Sequence, residues 1–432
     1  MNTQSPLLLD SHELGRPANT TMLARLGRKL LLNQLRQFEH GEIRLVEPDG
    51  RVHVFGRRHA GFDLGCTLNF DHFQVYADAA FGGTVGAGEA YIRGLWRCDD
   101  LVALVRIFVA NREQMNRMDS RWSMVSRPLL RLFHFANRNS KHGSARNIAA
   151  HYDLGNDLYQ LMLDETMAYS CAIFPHEKAT LAEGSEAKFD AVCRKLDLRP
   201  EDHVLEIGTG WGGFAIHAAL RYGCRVTTAT ISKAQAGYAA RKIESLGLSD
   251  RITVLLTDYR DLEGEYDKLV SIEMVEAVGA PFLDGYFRHC ARLLKPAGAM
   301  LLQAITIQDQ FYEQAVKSVD YIQRYIFPGS FIPSVQALSK SLSKATDFKI
   351  FHLEDIGPHY ARTLRLWRER FFRNIGKVRE LGYSDSFVRL WEYYLCYCEG
   401  GFTERQLGTV QMLLTKPACR LGVAGSRFSR VS

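Results

Sequence analysis

The run Val204-Leu205-Glu206-Ile207-Gly208-Thr209-Gly210-Trp211-Gly212-Gly213 leads from an apolar strand-like segment into the helix-forming AIHAALRYG. Glycines therefore stand where a backbone must turn tightly and approach a ligand. Gly208, Gly210 and Gly213 satisfy GxGxxG, a pattern open to a nicotinamide or flavin dinucleotide as well as to S-adenosylmethionine. Glu206 separates them. A carboxylate two residues before Gly208 would repel a pyrophosphate and suits a ligand with a methionine ammonium. About twenty residues on, where a dinucleotide fold places an acid for the ribose hydroxyls, the chain has Thr230-Ile231-Ser232-Lys233-Ala234-Gln235 instead. After the third apolar run, Asp258 offers an acceptor for an adenine amino group, and the same residue type is common as a turn cap.

The elements that hold these residues follow from periodicity. HVLEIG, CRVTTATI, RITVLLTD, YDKLVSIEM and AGAMLLQAI are short apolar runs separated by helix-length stretches, which predicts repeated βα units, a parallel sheet and helices on both faces. FKIFHLEDI supplies a further strand. The expected class is α/β, a Rossmann-like sheet, with a smaller N-terminal α+β domain. Residues 306–335, with TIQDQFYEQAVKSVDYIQRYIFPGSFIPS at their heart, are too long and too aromatic for an ordinary connection and read as a lid. At the other end, Leu23, Leu26, Leu30, Leu31, Leu35 and Phe38 recur at helical spacing over 22–38 among Arg25, Arg28, Lys29 and Arg36. GEIRLVEPDGRVHVFG reads as a hairpin around Pro48-Asp49-Gly50. From Arg121 to Arg146 six basic residues occur with no acid. The expected division is an accessory domain over 1–120, a basic linker over 121–150 and a catalytic domain over 151–432. Both basic segments suit either a solvated face or lipid phosphates.

Composition bounds the class. With 432 residues, 46% apolar and 24% charged, the chain is neither a small stapled scaffold nor disordered. The net charge of +6 is spread over several segments without a nucleic-acid-binding motif. Nine cysteines show no CxxC spacing, which reads as reduced thiols in a cytoplasm without a metal centre. Neither a basic leader with an apolar core nor a bilayer-length apolar run is found.

Several blocks together resemble the cyclopropane-fatty-acyl-phospholipid synthases and their mycolic acid and methyl-branched fatty acid relatives: GEAYIRGLWRCDDL (88–101), HYDLGNDLYQLMLDETMAYSCAIF (151–174), VLEIGTGWGGFA (204–215), TISKAQ (230–235), MVEAVG (274–279), GPHYARTLRLW (357–367) and CEGGF (398–402). The resemblance implies methyl transfer from S-adenosylmethionine to the cis double bond of a phospholipid acyl chain, giving a cyclopropane through a carbocation and proton loss. It places the cofactor on Tyr169, Ser170, Glu206, Gly208, Gly210, Gly212, Thr230, Ser232, Gln235, Asp258 and Tyr259. It implies a bicarbonate held by Cys171, the backbone at Glu273, Gln303, Ile305 and Tyr360, with Glu276 as a supporting acid and Cys398 as a further cysteine singled out as catalytic. A homodimer at a bilayer surface, peripheral and cytoplasmic, is implied as well. Two positions depart from the cyclopropane pattern, which usually has His at Gln303 and glycine at Glu273. Gln cannot take up a proton at neutral pH, so proton loss from a neighbouring carbon, giving a methylene- or methyl-branched chain, is the alternative outcome. A non-catalytic lipid-binding protein and a methyltransferase for small soluble metabolites are the other classes, disfavoured by the intact motifs and by the aromatic insertion.

Overall fold

A computed structural model describes residues 21–113 and 154–422. These fall into two units, one of residues 21–113 with 384–393 and one of residues 154–383 with 394–422. The basic segment 121–150 lies outside the described residues.

In the first unit, α1 (Met22–Leu35) starts at Thr21, whose hydroxyl accepts from the Ala24 N–H at 3.1 Å. Strands β1 (Gly41–Val46) and β2 (Val52–Arg57) form the predicted hairpin, with Gly41 opposite Arg57 and Val46 opposite Val52. β3 (Gly65–Phe70), α2 (Gln74–Ile92), β4 (Trp96–Cys98) and α3 (Leu101–Ala110) complete the unit, in the sheet order β2-β1-β3-β4. The apolar residues of α1 divide between core and surface. Ala24 and Gly27 are buried, because the helix backbone comes close to α2 there, whereas Met22, Leu23 and Leu26 are 89%, 61% and 40% exposed. The apolar residues at its start thus face outward beside exposed Arg25 and Lys29.

The second unit opens with α4 (Asn156–Met162) and α5 (Leu181–Leu196). The sheet then alternates with helices: β5 (His203–Ile207), α6 (Gly213–Tyr222), β6 (Arg225–Thr230), α7 (Lys233–Ser245), β7 (Ile252–Leu256), β8 (Tyr266–Ile272), α8 (Leu283–Arg292) and β9 (Leu294–Ile307). β5 to β9 are the five predicted strands, and they pair in parallel. Successive side chains of one strand enter different layers. Leu205, Ile207 and Leu302 pack with Tyr286, Phe287 and Leu338, while Val204, Val226 and Leu301 pack with Val192, Phe214 and Ala218. Burial on both faces explains the almost continuous apolar runs of a parallel sheet.

After β9 come α9 (Asp309–Val316), α10 (Tyr321–Tyr325), α11 (Val335–Ala345), β10 (Lys349–Asp355), α12 (Gly357–Arg373), α13 (Ile375–Glu380), α14 (Asp385–Thr403) and β11 (Leu407–Thr415). The insertion begins after Ile307, which still belongs to β9, and its far end returns to the strand where the Ile307 N–H donates to the Pro333 carbonyl at 3.0 Å. The sheet order is β10-β11-β9-β8-β5-β6-β7. β11, for which the sequence reading has no strand, lies antiparallel between β9 and β10, so Gln411 stands directly opposite Gln303.

Candidate active site

The glycine turn leaves the carboxyl end of β5 with positive φ at Gly208 (104°), Gly210 (52°) and Gly212 (91°), and it ends in α6. At Gly210 an added Cβ would meet nothing within 4 Å, so the backbone there is open to a ligand. Beneath the turn Glu206 is buried, with its Oε2 at 2.6 Å from the Thr228 hydroxyl. Burial pushes its carboxyl up to about 8, against the pull of Thr228 and of the Lys188 ammonium. On the next loop Thr230, Ser232 and Gln235 form a closed set, the Thr230 hydroxyl at 3.1 Å from Gln235 Oε1 and Ser232 capping α7 through the Gln235 N–H at 3.3 Å. Asp258 caps its turn through the Arg260 N–H at 2.9 Å and holds the Arg260 guanidinium at 2.6 Å. Tyr259 packs edge-on to Tyr286 at 5.4 Å. A carboxylate, glycine backbone and polar loop at the carboxyl ends of parallel strands fit an S-adenosylmethionine.

Proton linkage makes that fit testable. Glu206 without a cofactor holds its proton at neutral pH, whereas an ammonium partner needs the carboxylate, so binding must expel a proton. Calorimetric titration with S-adenosylmethionine at about pH 6.5, in buffers of different ionisation heat, is expected to show close to one proton released. Glu206→Gln should release none and bind more weakly.

The second cluster forms where β8 ends. Glu273 has a φ of 50°, in the left-handed region, and its backbone N–H donates to the Gln303 carbonyl at 2.8 Å. Three donors converge on its carboxylate. The Cys171 N–H reaches Oε1 at 2.9 Å, Gln303 Nε2 reaches the same oxygen at 2.8 Å, and the Tyr360 hydroxyl reaches Oε2 at 2.6 Å. Glu276, three residues on, accepts from the Ile305 N–H at 2.5 Å through Oε1, while its buried Oε2 has no partner among the described residues. Burial, then the charge of Glu273, lifts Glu276 to about 8, so it keeps its proton at neutral pH. Burial raises Glu273 too, opposed by Tyr360, the Cys171 N–H, Gln303 and Lys188.

This arrangement corrects the bicarbonate expectation. The donors assigned to a bound anion, at Cys171, Gln303 and Tyr360, are spent on the side chain of Glu273, and the one at Ile305 on Glu276. A carboxylate that already takes these three donors leaves them none for a second anion, so these residues do not fit bicarbonate. The Cys171 thiol is buried, and burial raises it well above its ordinary range. Its backbone N–H is the group that reaches Glu273. Cys398 sits on α14, takes no part in the hydrogen bonds around Glu273, and is likewise raised by burial.

The two clusters share Lys188, and rings gather around Tyr169 and Tyr360. Lys188, on α5, is buried and donates to the Ser170 hydroxyl at 2.7 Å. Burial depresses it to about 8, opposed first by Glu273 and also by Glu206. The Tyr169 hydroxyl is 2.8 Å from that of Tyr394, and its ring lies 5.0 Å from Trp367 and 6.3 Å from Phe327 of the insertion. Tyr360 lies tilted against Phe402 at 4.4 Å and stands edge-on to Trp367 at 6.0 Å. Phe331 of the insertion donates its N–H to the Glu276 carbonyl at 3.0 Å. Sequence reading singled out neither Lys188 nor the side chain of Glu273 as a base. The signal for Lys188 was present: Leu181, Ser185, Lys188, Val192 and Lys195 share the buried stripe of α5.

The model of the mycolic acid cyclopropane synthetase family matches residues 139–412. The tuberculostearic acid methyltransferase of Mycobacterium tuberculosis is 37% identical over 342 residues, 77% of this chain and 79% of its own. The cyclopropane-fatty-acyl-phospholipid synthase of Escherichia coli K12 is 36% identical over 337 residues, 77% of this chain and 84% of its own. A solved mycolic acid cyclopropane synthase complexed with SAH and CTAB is 31% identical, with a TM-score of 0.59 over 63% of this chain and 98% of that one.

Proposed function

From a chain that belongs to the mycolic acid cyclopropane synthetase family and is an S-adenosylmethionine-dependent C-methyltransferase, we propose an enzyme that methylates the cis double bond of a phospholipid acyl chain and deprotonates the resulting cation with its own Glu273. The observation that supports this reading is the Glu273 carboxylate fixed by Cys171, Gln303 and Tyr360.

S-adenosylmethionine supplies an electrophilic methyl group on a sulfonium. The chain's residues do the rest. Glu206 takes the ammonium of that molecule. An alkene is a weak nucleophile, so its π electrons must be aligned behind the methyl, and positioning of this kind is worth several orders of magnitude. The cation that forms on the acyl chain faces rings such as Tyr360, Trp367 and Phe402, whose π faces stabilise it without adding to it. Glu273, raised above its ordinary range by burial and held by three donors, is the carboxylate placed to take the proton. Glu276, already protonated, cannot compete for it.

Which proton leaves decides the product. Loss from the new methyl onto the cationic carbon closes a ring, and loss from the adjoining chain carbon leaves a methyl-branched alkene. A bicarbonate has three oxygens, whereas Glu273 has two, both already held, and a methylene in place of the third. The change in where a basic lone pair points favours the branched product. Cells expressing the chain with methyl-labelled methionine should accumulate labelled phospholipid acyl chains that take up a pair of hydrogens on catalytic hydrogenation to give a branched chain. A labelled chain that resists hydrogenation would establish the ring instead. No labelled lipid from well-expressed protein that binds S-adenosylmethionine would overturn the reading.

Among the described residues no helix is long and apolar enough to cross a membrane. Contact with the bilayer surface would use the outward Met22, Leu23 and Leu26 beside Arg25 and Lys29, apolar area next to positive charge.

A further inference from the structure

The carboxylate of Glu273 is the end of a longer chain of hydrogen bonds. Lys195, 3% exposed on α5, donates to Glu354 of β10 and, at 2.5 Å, to Oε1 of Gln411 on β11. Gln411 Nε2 donates to Gln303 Oε1 at 2.9 Å, and Gln303 Nε2 donates to Glu273 Oε1 at 2.8 Å. Both glutamines are fully buried.

We propose that Lys195, Gln411 and Gln303 form a polarised relay in which Lys195 acts as a positioning residue, fixing the Gln303 amide with its N–H toward Glu273. The inference rests on the reading of Glu273 as the base. An amide presents an oxygen on one side and an NH₂ on the other, and nothing in a glutamine alone says which way it faces. An ammonium has donors only. Lys195 therefore donates only to the oxygen end of Gln411, which turns the NH₂ of Gln411 toward Gln303, which turns the NH₂ of Gln303 toward the base. The other end agrees, because an ionised carboxylate has acceptors only. Without the ammonium the two amides can reverse together. Gln303 would then present its oxygen to Glu273, an arrangement that suits the protonated acid and disfavours the carboxylate.

Other charged groups are accounted for on both ends. Glu273 is also faced by Tyr360 from α12, by the Cys171 thiol, by Lys188 from α5 and by Glu276 from its own turn. Lys195 is faced by Glu354, His352 and Arg194. Lys195→Met leaves the first set in place, so a change at Glu273 would report the relay.

The test compares wild type, Lys195→Met, Lys195→Arg and Gln411→Leu by two readouts. One is the pH profile of kcat with S-adenosylmethionine and vesicles of unsaturated phospholipid. The other is infrared titration of the Glu273 carboxyl stretch, assigned by its loss in Glu273→Gln. Lys195→Met is expected to move the Glu273 midpoint and the acid limb of kcat up by about one to two pH units, the worth of one hydrogen bond to a charged group. Activity should recover at higher pH. Lys195→Arg should hold the wild-type midpoint, and Lys195→Met should add no shift in a Gln303→Leu background. A wild-type midpoint in folded Lys195→Met, or an equal shift in the Gln303→Leu background, would overturn the proposal. Should Lys195→Met fail to fold, Gln411→Leu keeps the Lys195–Glu354 pair and is read by the same criterion. If wild type methylates no lipid, the reading of function fails while the infrared titration still decides the relay.

Discussion

Glu273→Gln is expected to lower kcat by about 10²- to 10⁴-fold, the usual worth of a positioned general base, with little change in the KM for lipid. Gln has the same shape, and its oxygen can still accept from the Cys171 N–H and Gln303 Nε2 while the Tyr360 hydroxyl turns to accept from its NH₂. The cradle therefore keeps its geometry and loses only its basicity. The acid limb of the pH profile should disappear with it. Glu276→Gln is the control. Glu276 is neutral at pH 7 already, so an amide that still accepts from the Ile305 N–H should leave most of the activity. Quenched-flow measurement of S-adenosylhomocysteine and of released tritium, with label in the methyl of S-adenosylmethionine in one series and at the reacting carbons of the substrate in another, would separate methyl transfer from proton loss. A Gln variant that keeps wild-type tritium release would remove Glu273 from the mechanism, and an equal loss in Glu276→Gln would show that the cluster needs two carboxyls and not one base.

How much of this was legible depends on the kind of force involved. The five parallel strands were readable because burial on both faces leaves uninterrupted apolar runs, and the hairpin because Pro48-Asp49-Gly50 sits between alternating segments. The glycine turn was readable because only glycine adopts its positive φ angles cheaply. β11 was not, since LGTVQMLLT follows the end of a helix without a turn signature, and its place between β9 and β10 is settled by pairing far along the chain. Periodicity alone does not separate the outward Leu23 and Leu26 of α1 from its buried Leu32 and Leu35, because the close approach of Gly27 to Tyr76 decides which side meets the core. At the candidate site the sequence named positions that the fold brings together around residue 273. Glu273 was counted for its backbone, because the resemblance has glycine there. Only the coordinates show that its side chain turns back into the donors of Cys171, Gln303 and Tyr360. The relay through Gln411 was beyond reach altogether, as it joins residues on α5, β9 and β11 that no local pattern relates.

The departure at position 273 also supports a prediction in the opposite direction. A side chain in the left-handed region costs about 1–3 kcal/mol, so Glu273→Gly relaxes the backbone while removing the base. The donors of Cys171, Gln303 and Tyr360 then have no carboxylate to bind, and a small planar anion has the charge and size to replace it. In buffer stripped of carbon dioxide, Glu273→Gly should be as slow as Glu273→Gln. Added bicarbonate should restore it saturably, by at least about tenfold if the anion recovers even part of a general base's contribution. Wild type and Glu273→Gln should not respond, because in both the cradle is filled by a side chain. The product is the sharper readout. If the point of attachment of the base selects the proton, the rescued Glu273→Gly enzyme, and more so the Glu273→Gly, Gln303→His double variant, should shift acyl products from the hydrogenation-sensitive branch toward the resistant ring. Stimulation of wild type by bicarbonate would show that the anion has a place here after all. Rescue without a change of product would confine Glu273 to supplying the base and assign the choice of proton to the walls of the acyl cleft.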